Sequence, residues 1–383
     1  MKIAIICDWL VNIGGAEKVL EQMLNCFPEA DLFSLVDFIP EDKRHIIKNK
    51  LVHVSFLQKM PWAKKYYRSY LPLMPIAIEQ FDLSRYDLII SSSHAVAKGV
   101  ITGPDQLHIC YCHSPIRYAW DLQYQYLQES NLNFGIKSWF VRWYLHKIRI
   151  WDCRTSNGVD YFLANSKFIS RRIHKVYRRV ATVIYPPVNT EIVLNEERSN
   201  FYLTASRLVP YKKIDLIVEA FAKMPNRELY VIGTGTKLKE IQAKARGFAN
   251  IKIIGYQSDE MLSSYLARAR AFVFAAEEDF GIIPVEAQAL GTPVIAYAKG
   301  GILESVVGLN DKDIIDNNAT GIFFYKQTVD EIITAVEKFE DNADKIKAEN
   351  CIKNAKNFTT DKFKVEFKQF VLEKFKQFQS DKV

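Results

Sequence analysis

Short apolar runs the length of buried strands alternate with segments of helical hydrophobic period along this 383-residue chain, and the alternation restarts once near the middle. Parallel strands need crossover connections of a dozen or more residues, commonly helices, so such a rhythm confines the chain to helices packed on parallel sheets. The first half opens on a strand at 2–7. Gly14-Gly15 then begins a helix whose apolar positions Val19, Leu20, Met23 and Leu24 share one face. Further strands are predicted at 87–91, 107–112 and 159–164. Tyr185-Pro186-Pro187-Val188-Asn189 and the polar stretch 195–200 stop both helix and sheet, and the interdomain linker is placed there. The pattern resumes with strands at 201–205, 228–232, 251–254, 271–275 and 293–297 and a helix over 216–224. Residues 360–379 place Phe363, Phe367, Phe370, Val371, Phe375 and Phe378 on the apolar stripe of a last helix that docks against a domain face. The expectation is an α/β protein of two doubly wound domains facing across a cleft, 1–190 with 360–383, and 191–359.

Composition narrows the functional classes. With 49% hydrophobic and 25% charged residues the chain can bury enough apolar surface to fold, which excludes disorder. The opening apolar run is too short for a signal segment, and no later run reaches a membrane span, so the chain is placed in the cytoplasm. Six cysteines without a CxxC pair read as buried free thiols rather than a metal or disulfide framework. The net charge of +7 is regional: residues 137–182 hold eleven Lys and Arg against Asp152 and Asp160, a local +9 that leaves −2 elsewhere. A basic region suits nucleic acid, an anionic membrane or a phosphorylated substrate, but no nucleic-acid motif accompanies it. No complete GxGxxG with a downstream acid supports a dehydrogenase.

The sharpest local feature is Glu277-Glu278-Asp279-Phe280-Gly281-Ile282-Ile283-Pro284-Val285-Glu286, which follows a strand and enters a helix through a proline suited to a first turn. Open α/β sheets bind ligands at the carboxyl ends of their strands. Glu278 falls in that loop and Glu286 about one turn into the helix, so both can face a ligand beside the amides of Phe280, Gly281 and Ile282. Acids at a helix start also complement its dipole, which is the plainer reading. In Ser206-Arg207-Leu208-Val209-Pro210-Tyr211-Lys212-Lys213, an arginine fork and a lysine point charge suit a diphosphate and the negative charge that grows as it leaves; a solvated basic turn is the alternative. Gly233-Thr234-Gly235 lets backbone amides approach phosphate. Gly14-Gly15-Ala16-Glu17 again places glycines and amides at a helix N-terminus, where Gly14 and Gly15 can touch a donor phosphate or sugar from the opposite wall; a tight turn explains the glycines nearly as well, and Glu17 is a capping candidate. His113, ending strand 107–112, can bond a sugar hydroxyl or be satisfied by backbone, whereas His94 reads as structural. Tyr256 follows strand 251–254 closely enough to lie near a base.

Two stretches mix interfacial rings with cations: residues 62–71, including Trp62, Lys64, Lys65, Tyr66 and Arg68, and residues 139–151. Such segments can lie on an anionic bilayer, and the first is favoured for that role. The second is apolar on several sides and reads as partly a core helix.

Together these pieces resemble the retaining glycosyltransferases of GT-B architecture, family 4, two Rossmann-like domains, over almost the whole chain. The resemblance is carried, in the family's order, by residues 14–17, the segment Tyr111-Cys112-His113-Ser114-Pro115-Ile116-Arg117-Tyr118-Ala119-Trp120-Asp121, Ala164-Asn165-Ser166, Tyr185-Pro186-Pro187-Val188, residues 206–212, and the Glu278 and Glu286 pair. It implies that Arg207 and Lys212 hold the donor diphosphate and Glu286 the ribose hydroxyls. It also implies that Glu278 and the 280–282 amides hold the transferred sugar, with His113 near it. Residues 113–121 and 206–215 look most like bacterial O-antigen and capsule mannosyltransferases. That implies GDP-mannose as donor, a lipid-linked glycan acceptor, no cofactor or metal, no nucleic-acid partner, and a peripheral place on the anionic inner face of the plasma membrane. Cys7, where such enzymes often carry His, and Ser114, where Thr is common, depart from the pattern. A UDP-sugar donor, or a sugar-nucleotide epimerase or hydrolase on the same frame, are the alternatives.

Overall fold

A computed structural model describes residues 1–192, 194, 196–309 and 318–381. Asn195 of the polar stretch lies outside the described residues, as do the last two of the chain. The chain divides into two compact units, residues 1–187 with 361–383, and residues 188–360.

The first unit is a seven-stranded, all-parallel sheet ordered β3-β2-β1-β4-β5-β6-β7. Its strands are β1 (Ile3–Cys7), β2 (Asp31–Ser34), β3 (Val52–Val54), β4 (Leu88–Ser93), β5 (Leu107–Cys112), β6 (Tyr161–Ala164) and β7 (Ala181–Val183). Both faces are covered, as parallel sheets require, and successive residues of β1 alternate between them. Ile3, Ile5 and Cys7 join one core with helix Gly15–Cys26, while Ala4 and Ile6 join another with Phe33, Met74, Ile78 and Ile89. The final helix, Thr360–Ser380, enters the first of these cores through Phe363, Phe367, Val371 and Phe375; Phe367 stands edge-on to Phe27 at 6.2 Å.

The second unit is a six-stranded parallel sheet ordered β10-β9-β8-β11-β12-β13. Its strands are β8 (Phe201–Ala205), β9 (Glu228–Ile232), β10 (Ile251–Gly255), β11 (Ala271–Phe274), β12 (Val294–Tyr297) and β13 (Gly321–Phe324). Tyr202 packs into one core and Phe201, Leu203 and Ala205 into the other. In each sheet the strand order reverses once, between β1 and β4 and between β8 and β11. These are the switch points at which open α/β sheets place ligands.

The second aromatic stretch is partly a core helix, as its apolar sides suggest. It lies in one helix, Ile136–Thr155, that buries a narrow stripe of Ser138, Leu145, Ile148 and Asp152 and leaves Trp139, Phe140, Trp143 and Ile150 exposed. The thiols are free, and Cys153 alone among the six is exposed.

Candidate functional site

The loops after β8 and β11 meet across the switch point of the second sheet. Lys212, at the end of the turn Pro210–Lys212, forms an ion pair with Glu278 in the loop after β11. Their side chains are 15% and 14% exposed, and the Lys212 ammonium also lies over the rings of Tyr211 and Phe274, at 5.4 and 5.9 Å. Half-desolvated and framed by ring faces, this charge acts more strongly on a neighbouring anion than a free surface lysine does. Arg207 is exposed, and its guanidinium donates to the Tyr211 hydroxyl at 2.9 Å. Tyr211 thus ties the two cations together, a role that its place in a basic turn did not signal.

The Glu278 loop is fixed by backbone rather than by side chains. The Gly301 amide donates to the Glu278 carbonyl at 2.8 Å, and Glu278 bridges Gly300 as a parallel pair. A Cβ on Gly300 would stand 2.3 Å from that carbonyl oxygen, and one on Gly301 would stand 2.1 Å from that of Asp279. Only glycines permit this approach, and Gly300 also has φ +92°. Neither was singled out from the sequence, although a glycine pair after a strand is the available signal. Beyond the loop, Phe280 is buried edge-on to Phe358 at 5.2 Å, Gly281 caps helix Ile282–Ala289, and Glu286 lies half-buried in its second turn. The first turn of that helix presents the amides that an α-helix leaves without intrahelical partners.

Gly235 and Gly233 also meet a local packing demand. A Cβ on Gly235 would stand 2.4 Å from the Leu208 carbonyl oxygen, and one on Gly233 would stand 1.9 Å from that of Ser206. The pair lets the loop after β9 pack on the Arg207 loop, fastened by Leu208 N to Thr234 O at 2.9 Å. Tyr256 is exposed at the end of the edge strand β10, with β9 between it and β8. Lys299 pairs with Glu277 at 3.0 Å.

The first sheet has its own switch-point pair. The Asp8 carboxylate, fully buried after β1, accepts the backbone amides of His94, Ala95, Val96 and Ala97 after β4, at 2.6 to 3.0 Å. It also meets His94 Nδ1 at 3.0 Å. Burial alone would raise the Asp8 pKa, but His94 and the amides outweigh it and hold it at about 2. The His94 pKa is raised: burial opposes its charge, and Asp8 more than restores it. His94 stands edge-on to Trp9 at 4.6 Å and lines a hollow with Asp8, Ala16, Glu17 and Ser92. Asp8 was not singled out from the sequence, and His94 was read as structural.

His113 is buried, its Nε2 at 2.8 Å from Ser92 Oγ and its carbonyl accepting from Asn165 at 3.1 Å. Burial, then the nearby His94, lowers its pKa to about 3, so near neutral pH the imidazole is uncharged, with one ring nitrogen a donor and the other an acceptor. The segment containing it is clasped throughout. Arg172 donates to Ser114 at 3.0 Å and pairs with Asp121, and Trp120 donates to Asp152 at 2.7 Å. Asp152 is buried against Lys98 and also accepts from Tyr177. At the start of helix Gly15–Cys26, the Gly14 amide is not free: Glu17 Oε2 accepts it at 2.8 Å, so Glu17 caps. Gly15 begins the helix at the surface. In the first aromatic stretch, Trp62, Lys64, Lys65, Tyr66 and Arg68 are all exposed.

Sequence comparison assigns residues 13–192 to the model described as Glycosyltransferase Family 4 and residues 188–358 to that of Glycosyl transferases group 1. Both models describe glycosyltransferase domains, and the two parallel-sheet units match GT-B glycosyltransferase structures in fold. An uncharacterized glycosyltransferase of Methanocaldococcus jannaschii is 31% identical over 156 residues, 40% of this chain and 44% of that protein. The alpha-1,3/1,6-mannosyltransferase ALG2 of Kluyveromyces lactis is 25% identical over 289 residues, 61% of this chain and 54% of that one. The chain thus spans about half the length of these curated relatives. Among solved structures, HepE of Anabaena in complex with UDP superposes with a TM-score of 0.70 at 17% identity, covering 97% of this chain and 100% of that one. This likeness shows the fold. Among the described residues, no helix is long and apolar enough to cross a membrane.

Proposed function

We propose that the chain transfers a sugar from a nucleoside diphosphate sugar with retention of anomeric configuration. The observation that carries this reading is the Lys212 and Glu278 pair spanning the second switch point, with Arg207 joined to it through Tyr211. In a ligand-free site Glu278 neutralises Lys212. A bound diphosphate gives that ammonium a second anion, and the Glu278 carboxylate accepts sugar hydroxyls beside it. As the glycosidic bond breaks, Lys212 and Arg207 meet the charge growing on the leaving diphosphate, so stabilisation is greatest in the transition state. Glu286 holds the ribose, and the amides at 280–282 face the sugar. The acceptor hydroxyl attacks from the side the diphosphate leaves, giving it the proton; no metal and no protein nucleophile takes part.

The donor is read as GDP-mannose and the acceptor as a lipid-linked glycan of bacterial surface polysaccharide synthesis. Support for mannose comes from the similarity to the yeast mannosyltransferase and from the resemblance carried by residues 113–121 and 206–215. The test is incubation with GDP-mannose, UDP-glucose, UDP-N-acetylglucosamine and UDP-galactose, following nucleotide release with and without a lipid-extracted acceptor fraction. The expected result is acceptor-dependent GDP release, lowered at least about a hundredfold by Arg207→Ala or Glu286→Ala, the scale of a lost transition-state contact. Release from a UDP-sugar would replace the donor and keep the reaction. Release that ignores the acceptor would make the chain a hydrolase.

A further inference from the structure

Helix Ile136–Thr155 has two apolar sides, and its own domain covers only one. At about 3.6 residues per turn, Ile136, Trp139, Phe140, Trp143, Lys147 and Ile150 line a single stripe opposite the buried Leu145 and Ile148. Ile136 is 79% exposed and Trp139 62%, and Phe134 just before the helix is 91% exposed. Isolated exposed hydrophobics are ordinary, but a continuous row of this kind marks an interaction surface.

The charges around the row have one sign. Lys137, Lys147 and Arg154 are exposed along the helix, and Lys147 lies over the Trp143 ring at 5.8 Å. The helix has a single acid, Asp152, which is buried against Lys98. Arg149 turns inward to the Ala119 carbonyl. The surface continues into the first aromatic stretch, because the Tyr144 hydroxyl donates to the Leu71 carbonyl at 2.7 Å. There Trp62 is 79% exposed, beside exposed Lys64, Lys65 and Arg68, and residues 62–71 contain no acid.

We infer that this two-segment face of the first domain, centred on helix Ile136–Thr155, docks on the surface of an anionic lipid bilayer. Tryptophans flanked by lysines suit the headgroup layer, where the rings meet the acyl boundary and each cation gains from the negative surface potential. A protein partner matched to this row would need a complementary groove; a bilayer needs only a row that is apolar, aromatic and basic at once. Such docking would bring the chain to a lipid-linked acceptor, and in that respect it rests on the transfer proposed above.

The test is sedimentation of the full chain with vesicles of phosphatidylcholine alone and of phosphatidylcholine and phosphatidylglycerol in equal parts. Binding is expected on the anionic vesicles and reduced at least about tenfold in Trp139→Ala/Trp143→Ala, whose side chains are exposed and leave the fold intact. Lys147→Glu, a change of two charges, is expected to weaken anionic binding by about an order of magnitude and to be relieved in high salt. Equal binding to both vesicle types, or undiminished binding by the double variant, would overturn the assignment. So would a dimer in light scattering that the double variant splits, since the row would then cover a second copy. Nucleotide release with detergent-dispersed acceptor separates the two readings: intact release without vesicle binding removes the docking surface alone, and vesicle binding without release removes the transfer.

Discussion

Histidines 94, 108 and 113 lie in the same sheet region yet respond to pH in opposite senses. His108 is fully buried between Ser91 Oγ and the Gly158 carbonyl, and burial lowers its pKa from 6.5 to about 4; His113 falls to about 3 for the same reason. As pH drops below 6.5 the unfolded chain binds protons at both sites while the folded chain does not, so stability falls. Asp8, ordinarily 3.8 and here about 2, extends the loss to lower pH. His94, with its raised pKa, contributes stability that is full below 6.5 and fades as pH rises through its folded value. Two histidines outweigh one on the acid side. Tryptophans 9, 62, 120, 139, 143 and 151 are the only ones in the sequence and all lie in the first unit, so their fluorescence reports on that unit. The urea midpoint so measured is expected to be lower at about pH 5 than at about pH 7, and His108→Gln is expected to flatten the difference. An unchanged midpoint across that range would mean that the buried histidines find a charge partner on acidification.

At the scale of the element, the loop after β12 positions the loop after β11. Gly300→Ala must place a methyl 2.3 Å from the Glu278 carbonyl oxygen in a left-handed conformation, so the Glu278 loop has to move. Acceptor-dependent nucleotide release is expected to fall at least about tenfold, because a shift of about 1 Å at a positioning residue is costly. The tryptophan-monitored midpoint of the first unit should stay where it is; normal release would show that the two loops act independently. The same element explains what the sequence disclosed. Strands 107–112, 201–205 and 228–232 were legible to the residue, being central or continuous apolar runs between clear helical segments. β2, β3, β7 and β13 were not; β3 and β7 hold only three residues each, too few for periodicity to separate a strand from a loop. Lys212 and Glu278 stood out because each is a charge beside a turn or helix start. Asp8 and Gly300-Gly301 did not, because their meaning arises only where loops from non-adjacent parts of the chain meet across the sheet.

For the molecule as a whole, connectivity makes one domain depend on both ends of the chain. The chain leaves the first unit at Pro187, builds the whole second unit, and re-enters the first at Asp361. Its last helix is not an appendage. Phe363 and Phe367 are stacked at 5.4 Å and fully buried with Val19, Leu20, Met23 and Phe27 of the first unit's core. Phe367→Ala deletes a large ring at 0% exposure and leaves a cavity that the surrounding helices can close only in part, a loss of about 3 to 5 kcal/mol. The tryptophan-monitored midpoint is therefore expected to fall sharply, while nucleotide binding to the second unit, titrated separately, keeps its affinity. Loss of both together would mean that the two units fold as one cooperative body. Loss of neither would mean that the aromatic stripe of the last helix adds nothing to the core it enters.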